Sequence, residues 1–173
     1  SGQENTEKIT AVAVSRSKKY LAVCEKAERA KCSIYDIHSQ KLKKIIPDED
    51  VECEDYAAQE FLSVCFQSKT DSQYLITLTG QPDWMLILWE WEKCKIVTKI
   101  NIGITGVPPQ MSQKNGDLLD QNFQISFNPH ESNYVIVTGN DTYKYYKIEE
   151  NEFEAEHTQL NNKKKTKNRR QLN

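Results

Sequence analysis

Three stretches of the chain, residues 9–46, 61–100 and 123–158, share one internal pattern. Each opens with a short alternating run, which reads TAVAVS, LSVCFQ or FQISFN, and passes through a polar turn to a tyrosine and further apolar residues. A third run follows, CSIYDI, LILWEW or YKYYKI, and then a more polar fourth run, KLKKII, KIVTKI or FEAEHT. Alternation with a period of two, and many β-branched and aromatic residues, indicate strands rather than helices.

Four short strands in a unit of about 40 residues are typical of a β-propeller blade. The sequence therefore predicts an all-β fold of three four-stranded antiparallel sheets, built as WD-type blades. The third strand of such a blade favours Trp-Asp, and the dipeptides here are Tyr35-Asp36, Trp89-Glu90 and Tyr146-Lys147. Asp83 lies where these blades place a buried Asp that organises a turn, whereas the other two units have Arg29 and Asn140. No Gly-His dipeptide precedes a first strand, so the usual hydrogen-bonded tetrad is predicted to be incomplete.

The alignment of the units also predicts the core. Val14, Phe66 and Phe127 occupy equivalent positions and are expected to be buried. Propellers close with about 4–8 blades, because closure removes exposed sheet edges. Three blades are therefore expected to be part of a larger propeller, and self-association through the end blades is the alternative.

The blades are predicted to span residues 9–160. Residues 1–8 form an N-terminal extension, in which Ser1-Gly2 is typical of an expression scar, and residues 161–173 form a basic tail that we expect to be disordered. The extension lacks the apolar core of a signal peptide. No apolar stretch approaches the roughly 18–20 residues of a membrane helix.

An acidic segment joins the first two blades. Within residues 47–60 the sequence has no basic residue, and the candidate partner-binding carboxylates are Asp48, Glu49, Asp50, Glu52, Glu54 and Asp55. Such a run is either a solvated loop or a surface that docks a basic partner. Calcium is a third interpretation, but the regularly spaced ligands of a calcium loop are missing.

Two further features are candidates for binding partners. Trp84, in the GQPDW loop, is either half-buried under its loop or an exposed anchor for a partner, a role in which Trp is enriched. The tail carries the cations Lys163, Lys164, Lys165, Lys167, Arg169 and Arg170. It is compatible with a nucleic-acid contact, a contact to a tubulin tail, or an insertion between blades. The net charge of −2 argues against a general binder of polyanions.

The sequence offers no chemistry of catalysis. It has no glycine-rich phosphate loop, no nucleophile elbow and no HExxH motif, so we predict a non-enzymatic protein without a cofactor or metal. Its five cysteines include no CxxC pair and are expected to be buried free thiols rather than disulfides or zinc ligands.

Several segments taken in order resemble the cilia- and flagella-associated protein 57 family of axonemal WD-repeat scaffolds. They are ITAVAVSRSKKYLAV, QEFLSVCFQSKTDSQYLI, LILWEWEKCKIVTKI and QISFNPHESNYVIVTGNDTYK, within a region of similarity from about Ile9 to Phe153. The resemblance implies a cytoplasmic, cytoskeletal protein of the cilium or flagellum whose propellers help to tether inner dynein arms to doublet microtubules. The implied partners are dynein-arm components, tubulin or other axonemal proteins, with no membrane contact. The alternatives are a WD-repeat adaptor of another intracellular complex and a nucleic-acid-associated protein that uses the basic tail.

Overall fold

Short strands make up nearly all of the regular structure. The computed structural model describes residues 8–48, 56–68, 73–103, 113–114, 117–118, 122–139 and 142–156. The strands are β1 (Lys8–Val14), β2 (Tyr20–Lys26), β3 (Lys31–Asp36), β4 (Lys41–Ile46), β5 (Phe61–Phe66), β6 (Tyr74–Thr79), β7 (Met85–Glu90), β8 (Lys95–Asn101), β9 (Gln113–Lys114), β10 (Asp117–Leu118), β11 (Gln124–Phe127), β12 (Tyr134–Gly139), β13 (Thr142–Glu149) and β14 (Glu152–Glu156).

The strands form three four-stranded antiparallel sheets in simple chain order. We call them blade 1 (β1–β4), blade 2 (β5–β8) and blade 3 (β11–β14). The predicted fold class is confirmed. The described residues contain one helical segment, a single 3₁₀ turn over Trp91–Lys93. The two-residue strands β9 and β10 also pair, in antiparallel register.

Both faces of blade 2 are covered by its neighbours, so nearly every side chain of its middle strands is buried and most are apolar. One core lies between blades 1 and 2 and includes Ala22, Cys24, Cys32 and Ile34 with Phe61, Val64, Phe66, Leu75, Ile87 and Trp89. The other core lies between blades 2 and 3 and includes Ile76, Leu78, Leu86 and Leu88 with Phe123, Ile125, Phe127, Val135, Val137 and Tyr146.

The prediction for Val14 is wrong. Phe66 and Phe127 are buried as expected, but Val14 is 53% exposed. All three side chains lie on the face of their sheet that packs against the preceding blade. Phe66 packs on blade 1 and Phe127 on blade 2, whereas no sheet among the described residues covers that face of blade 1.

Val14 belongs to an uncovered apolar face, which we call the open face of blade 1. The strand register places it together with Ile9, Val12 and Leu42, which are 61%, 56% and 49% exposed. Half-buried apolar side chains extend this face: Leu21, Val23, Tyr35 and Ile45. The polar residues on it are the buried Ser33 and, at one edge, the pair Glu25 and Lys31.

The opposite end of the array differs in chemistry. The outer face of blade 3, which points away from blade 2, is a mixture of polar, aromatic and a few aliphatic side chains: Gln124, Ser126, Tyr134, Ile136, Thr138, Tyr143, Tyr145 and Lys147. Tyr134 and Tyr145 stack on this face with ring centroids 5.1 Å apart. The two ends of the array are therefore not equivalent.

Candidate interaction surfaces

The linker that leads into blade 2, residues 56–60, is fixed to the β2–β3 loop of blade 1. The amides of Ala27 and Ala30 donate to the carbonyls of Gln59 and Ala58, at 3.1 and 3.0 Å. The Tyr56 hydroxyl donates to the Ala30 carbonyl at 2.8 Å. The linker and the β2–β3 loop therefore share one end of the blades.

Asp83 fixes the same linker to blade 2. Its carboxylate accepts hydrogen bonds from the amides of Ala57 and Ala58, at 2.6 and 2.8 Å. The Asn101 side chain donates to the Asp83 carbonyl at 2.6 Å. The sequence pattern identified Asp83 as an organiser of a turn. Its partners were not predicted, because they lie 25 and 26 residues away along the chain.

The acidic segment begins at Asp48, which is half-buried beside the Cys94 thiol. Burial raises the pKa of Cys94, and the Asp48 carboxylate adds to the rise while Lys44 opposes it. The other candidate carboxylates, Glu49, Asp50, Glu52, Glu54 and Asp55, lie outside the described residues. The acidic segment therefore begins at Asp48, which contacts blade 2, and it ends where the fixed linker begins, at Tyr56.

Trp84 is a core residue, so the interpretation of this side chain as an exposed anchor is wrong. It is 6% exposed and packs against Phe123, with ring centroids 5.4 Å apart. Its backbone has a positive φ of 50°. The Trp84 amide donates to the Gly80 carbonyl, and the Ile102 amide donates to the Trp84 carbonyl. The loop folds the indole into the core between blades 2 and 3, which the loop sequence alone does not indicate.

The tail candidates, Lys163, Lys164, Lys165, Lys167, Arg169 and Arg170, lie outside the described residues. Cys24, Cys32, Cys65 and Cys94 are free thiols. Cys24 faces Cys32 across β2 and β3, and burial, together with this neighbour, raises the pKa of Cys24. In the described part of the chain, no three His, Cys, Asp or Glu side chains are close enough to hold a metal ion. No helix described here is long and apolar enough to cross a membrane.

Two turns of blade 1 form a surface that the sequence analysis missed, which we call the basic end of blade 1. Its cations come from the β1–β2 turn and from the start of β4, and all are exposed: Arg16, Lys18, Lys19, Lys41 and Lys43. The exposed imidazole of His38, in the β3–β4 turn, lies beside them. The Ile37 amide donates to the Lys19 carbonyl at 2.8 Å and so holds the two turns side by side. These cations are split between stretches some twenty residues apart, so no contiguous charge run marked the surface.

The comparisons with known proteins agree with the blade architecture. No family model matches the chain. Cilia- and flagella-associated protein 57 of Mus musculus is 28% identical over 152 residues, which is 86% of this chain and 11% of that protein. The resemblance predicted from the sequence is confirmed. Cilia- and flagella-associated protein 57 C of Tetrahymena thermophila is 27% identical over 92% of this chain and 11% of its own length. The chain thus spans about a tenth of the curated relatives it matches.

Solved structures show the same fold. A chain of the mitotic checkpoint complex matches with a TM-score of 0.59 and 12% identity, over 86% of this chain and 39% of that chain. The β-propeller domain of Cps50 (Swd1) from Myceliophteria thermophila matches with a TM-score of 0.58 and 13% identity, over 88% and 40%. At such identities the likeness shows the propeller fold alone.

Proposed function

We propose that this chain is a non-enzymatic protein-interaction module of the ciliary or flagellar axoneme, a propeller region of a scaffold similar to cilia- and flagella-associated protein 57. The observation that carries the proposal is the match to that protein over 86% of the chain, in a chain that folds as propeller blades. The names of both curated relatives associate those proteins with cilia and flagella.

The finer proposal is that the module helps to dock inner dynein arms on doublet microtubules, through its charged segments. The fixed linker supports this role for the acidic segment, because contacts at Asp48 and Tyr56 hold both of its ends on the blades. Five of the seven residues between these two points are Asp or Glu, and these carboxylates are the proposed contact for a basic partner. The basic tail is the corresponding proposed contact for an acidic partner such as a tubulin tail.

The proposal is tested by adding the tagged chain to demembranated axonemes from which inner dynein arms have been extracted with salt. We expect saturable binding to the axonemes and improved rebinding of inner-arm dynein. A variant with Asn and Gln at the six candidate carboxylates should lose the dynein effect. A second variant, with Gln at the six tail cations, should instead weaken binding to the axonemes, because the tail is the proposed contact with tubulin.

Other outcomes would overturn the proposal. Absence of binding to axonemes, together with a diffuse distribution of the tagged chain in ciliated cells, would favour an adaptor of another complex. Binding to nucleic acid that disappears with the tail cations and falls steeply with salt would favour the nucleic-acid alternative.

A further inference from the structure

The basic end of blade 1 is held in a fixed shape by its own backbone. The Ser15 and Lys18 amides donate to the carbonyls of Tyr20 and Ser15, and the Tyr20 amide donates to the Ser15 hydroxyl at 3.0 Å. In the second turn the Ser39 amide donates to the Asp36 carboxylate at 2.9 Å. The backbone positions of the cations are thus set before any partner binds, which lowers the entropic cost of binding.

This surface has one carboxylate, Asp36 at the end of β3, among its basic side chains. Residues 15–19 and 37–43 contain no Asp or Glu. The nearest carboxylate in sequence, Asp36, is buried and already accepts the Ser39 amide. Arg16 donates to the Ser68 carbonyl at 3.1 Å, which uses one of its five N–H donors. The two turns therefore carry net positive charge: five Lys and Arg side chains lie near a single carboxylate, Asp36, whose pKa Lys43 helps to lower.

The equivalent turns of blade 3 carry the opposite charge. His130 and Glu131 lie in its β11–β12 turn, and Glu149, Glu150 and Glu152 surround its β13–β14 turn; all are exposed. The concentration of cations is therefore a property of blade 1 and not of the blade fold.

We propose that the basic end of blade 1 binds an acidic segment of a partner protein, one that places an aliphatic side chain between its carboxylates. Ile37 is 39% exposed between the cations and provides the apolar contact. The two turns include no exposed Phe, Tyr or Trp on which a nucleic-acid base would stack. Their one exposed ring is the imidazole of His38, and the aliphatic Ile37 next to it favours a peptide. The site is separate from the acidic segment and the tail, and it does not depend on the axonemal proposal.

The test uses the whole chain and a fluorescent, Glu-rich peptide with a central Leu. Two double variants change the net charge equally: Lys18→Glu with Lys41→Glu at the basic end, and Lys163→Glu with Lys165→Glu in the tail. We expect the first to weaken peptide binding by about tenfold or more, and the second by less than about threefold. Ile37→Ser should also weaken binding. Replacing the peptide's Leu by Ser should weaken binding to the original chain by the same factor, because both changes remove the same apolar contact.

Amide NMR signals locate the contact. Titration of the unaltered chain with the peptide should shift the Ile37 and Ser39 amides, and thermal melts should show that each variant is folded. The proposal is overturned if the tail variant loses as much affinity as the basic-end variant, or if those amides do not shift. It is also overturned if a single-stranded oligonucleotide of equal charge binds the two turns more tightly than the peptide.

Discussion

Two of the three buried tryptophans show what one side chain contributes in this fold. Trp89 is fully buried in the core between blades 1 and 2, and its indole N–H donates to the Thr77 hydroxyl at 2.9 Å. Trp84 fills the core between blades 2 and 3 against Phe123. Each indole therefore holds one pair of neighbouring sheets together.

Trp84→Ala is expected to destabilise the protein by about 3–5 kcal/mol, as much as Trp89→Ala, because both changes leave a large cavity. An exposed Trp84, one of the two alternatives that the sequence left open, would lose much less. Tyr143→Ala is the matched control, because that ring is exposed and its loss should cost less than about 1 kcal/mol. Urea unfolding followed by circular dichroism measures all three. A loss at Trp84 close to that at Tyr143 would contradict the packing described.

For single residues, the sequence predicted burial correctly where the burial follows from the position in the repeat. Phe66 and Phe127 were correctly predicted as buried, because periodicity and alignment place them on packed faces. Trp84 was left open, because its burial depends on a loop conformation with positive φ that a Trp rarely adopts. The sequence placed Asp83 in a turn but not its hydrogen bonds to Ala57 and Ala58, which only the joining of two blades creates.

At the scale of elements, the turns between strands are set by short hydrogen bonds that local sequence encodes well. The β3–β4 turn is the clearest example. The Ser39 amide donates to Asp36 and holds the pKa of that carboxyl below its ordinary value, and Lys43 contributes in the same direction. The basic end shows the limit of such local reasoning, because two turns separated in sequence become one surface only when β1–β4 form a sheet.

Asp36→Asn is expected to lower stability at neutral pH and to make it less sensitive to acid. The pKa of Asp36 is lowered in the folded state, so its contribution is fully present above the unfolded value of about 4 and is lost as the pH falls through the folded value. The difference in melting temperature between the original chain and the variant should therefore become smaller as the pH falls below about 4. Glu152→Gln, at an exposed position, controls for the loss of one carboxylate. A difference that is constant with pH would contradict the assignment.

At the scale of the whole molecule, the error at Val14 reveals the main feature of the array. The repeat predicts what each position faces when a neighbour is present, but not which blade has a neighbour. Ile9, Val12, Val14 and Leu42 are therefore exposed although their counterparts in a continuing array would be covered. Repeat arrays generally bury or cap such faces, because each unit depends on its neighbours.

We expect the isolated chain to associate through the open face of blade 1 as its concentration rises. Val12→Asp should keep it monomeric, because a carboxylate would have to be buried in the contact. Gln40→Asp, which adds the same charge at an exposed position in the β3–β4 turn, should not affect association. Sedimentation velocity over a range of concentrations measures the effect. A monomer at every concentration, or equal effects of the two variants, would contradict the expectation.

The difference between the two ends gives such an assembly a direction. Each blade has a first face, which is the open face in blade 1, and a second face, which is the outer face in blade 3. In the two blade contacts already present, the first face of one blade packs on the second face of the blade before it. Copies joined in this way all point the same way, so they close into a ring if the rotation permits and otherwise form a polar filament with a distinct head and tail. A copy with Val12→Asp would then stop growth at one end. Its blade 3 can still bind the open face of another copy, but its own open face cannot bind the blade 3 of a further copy.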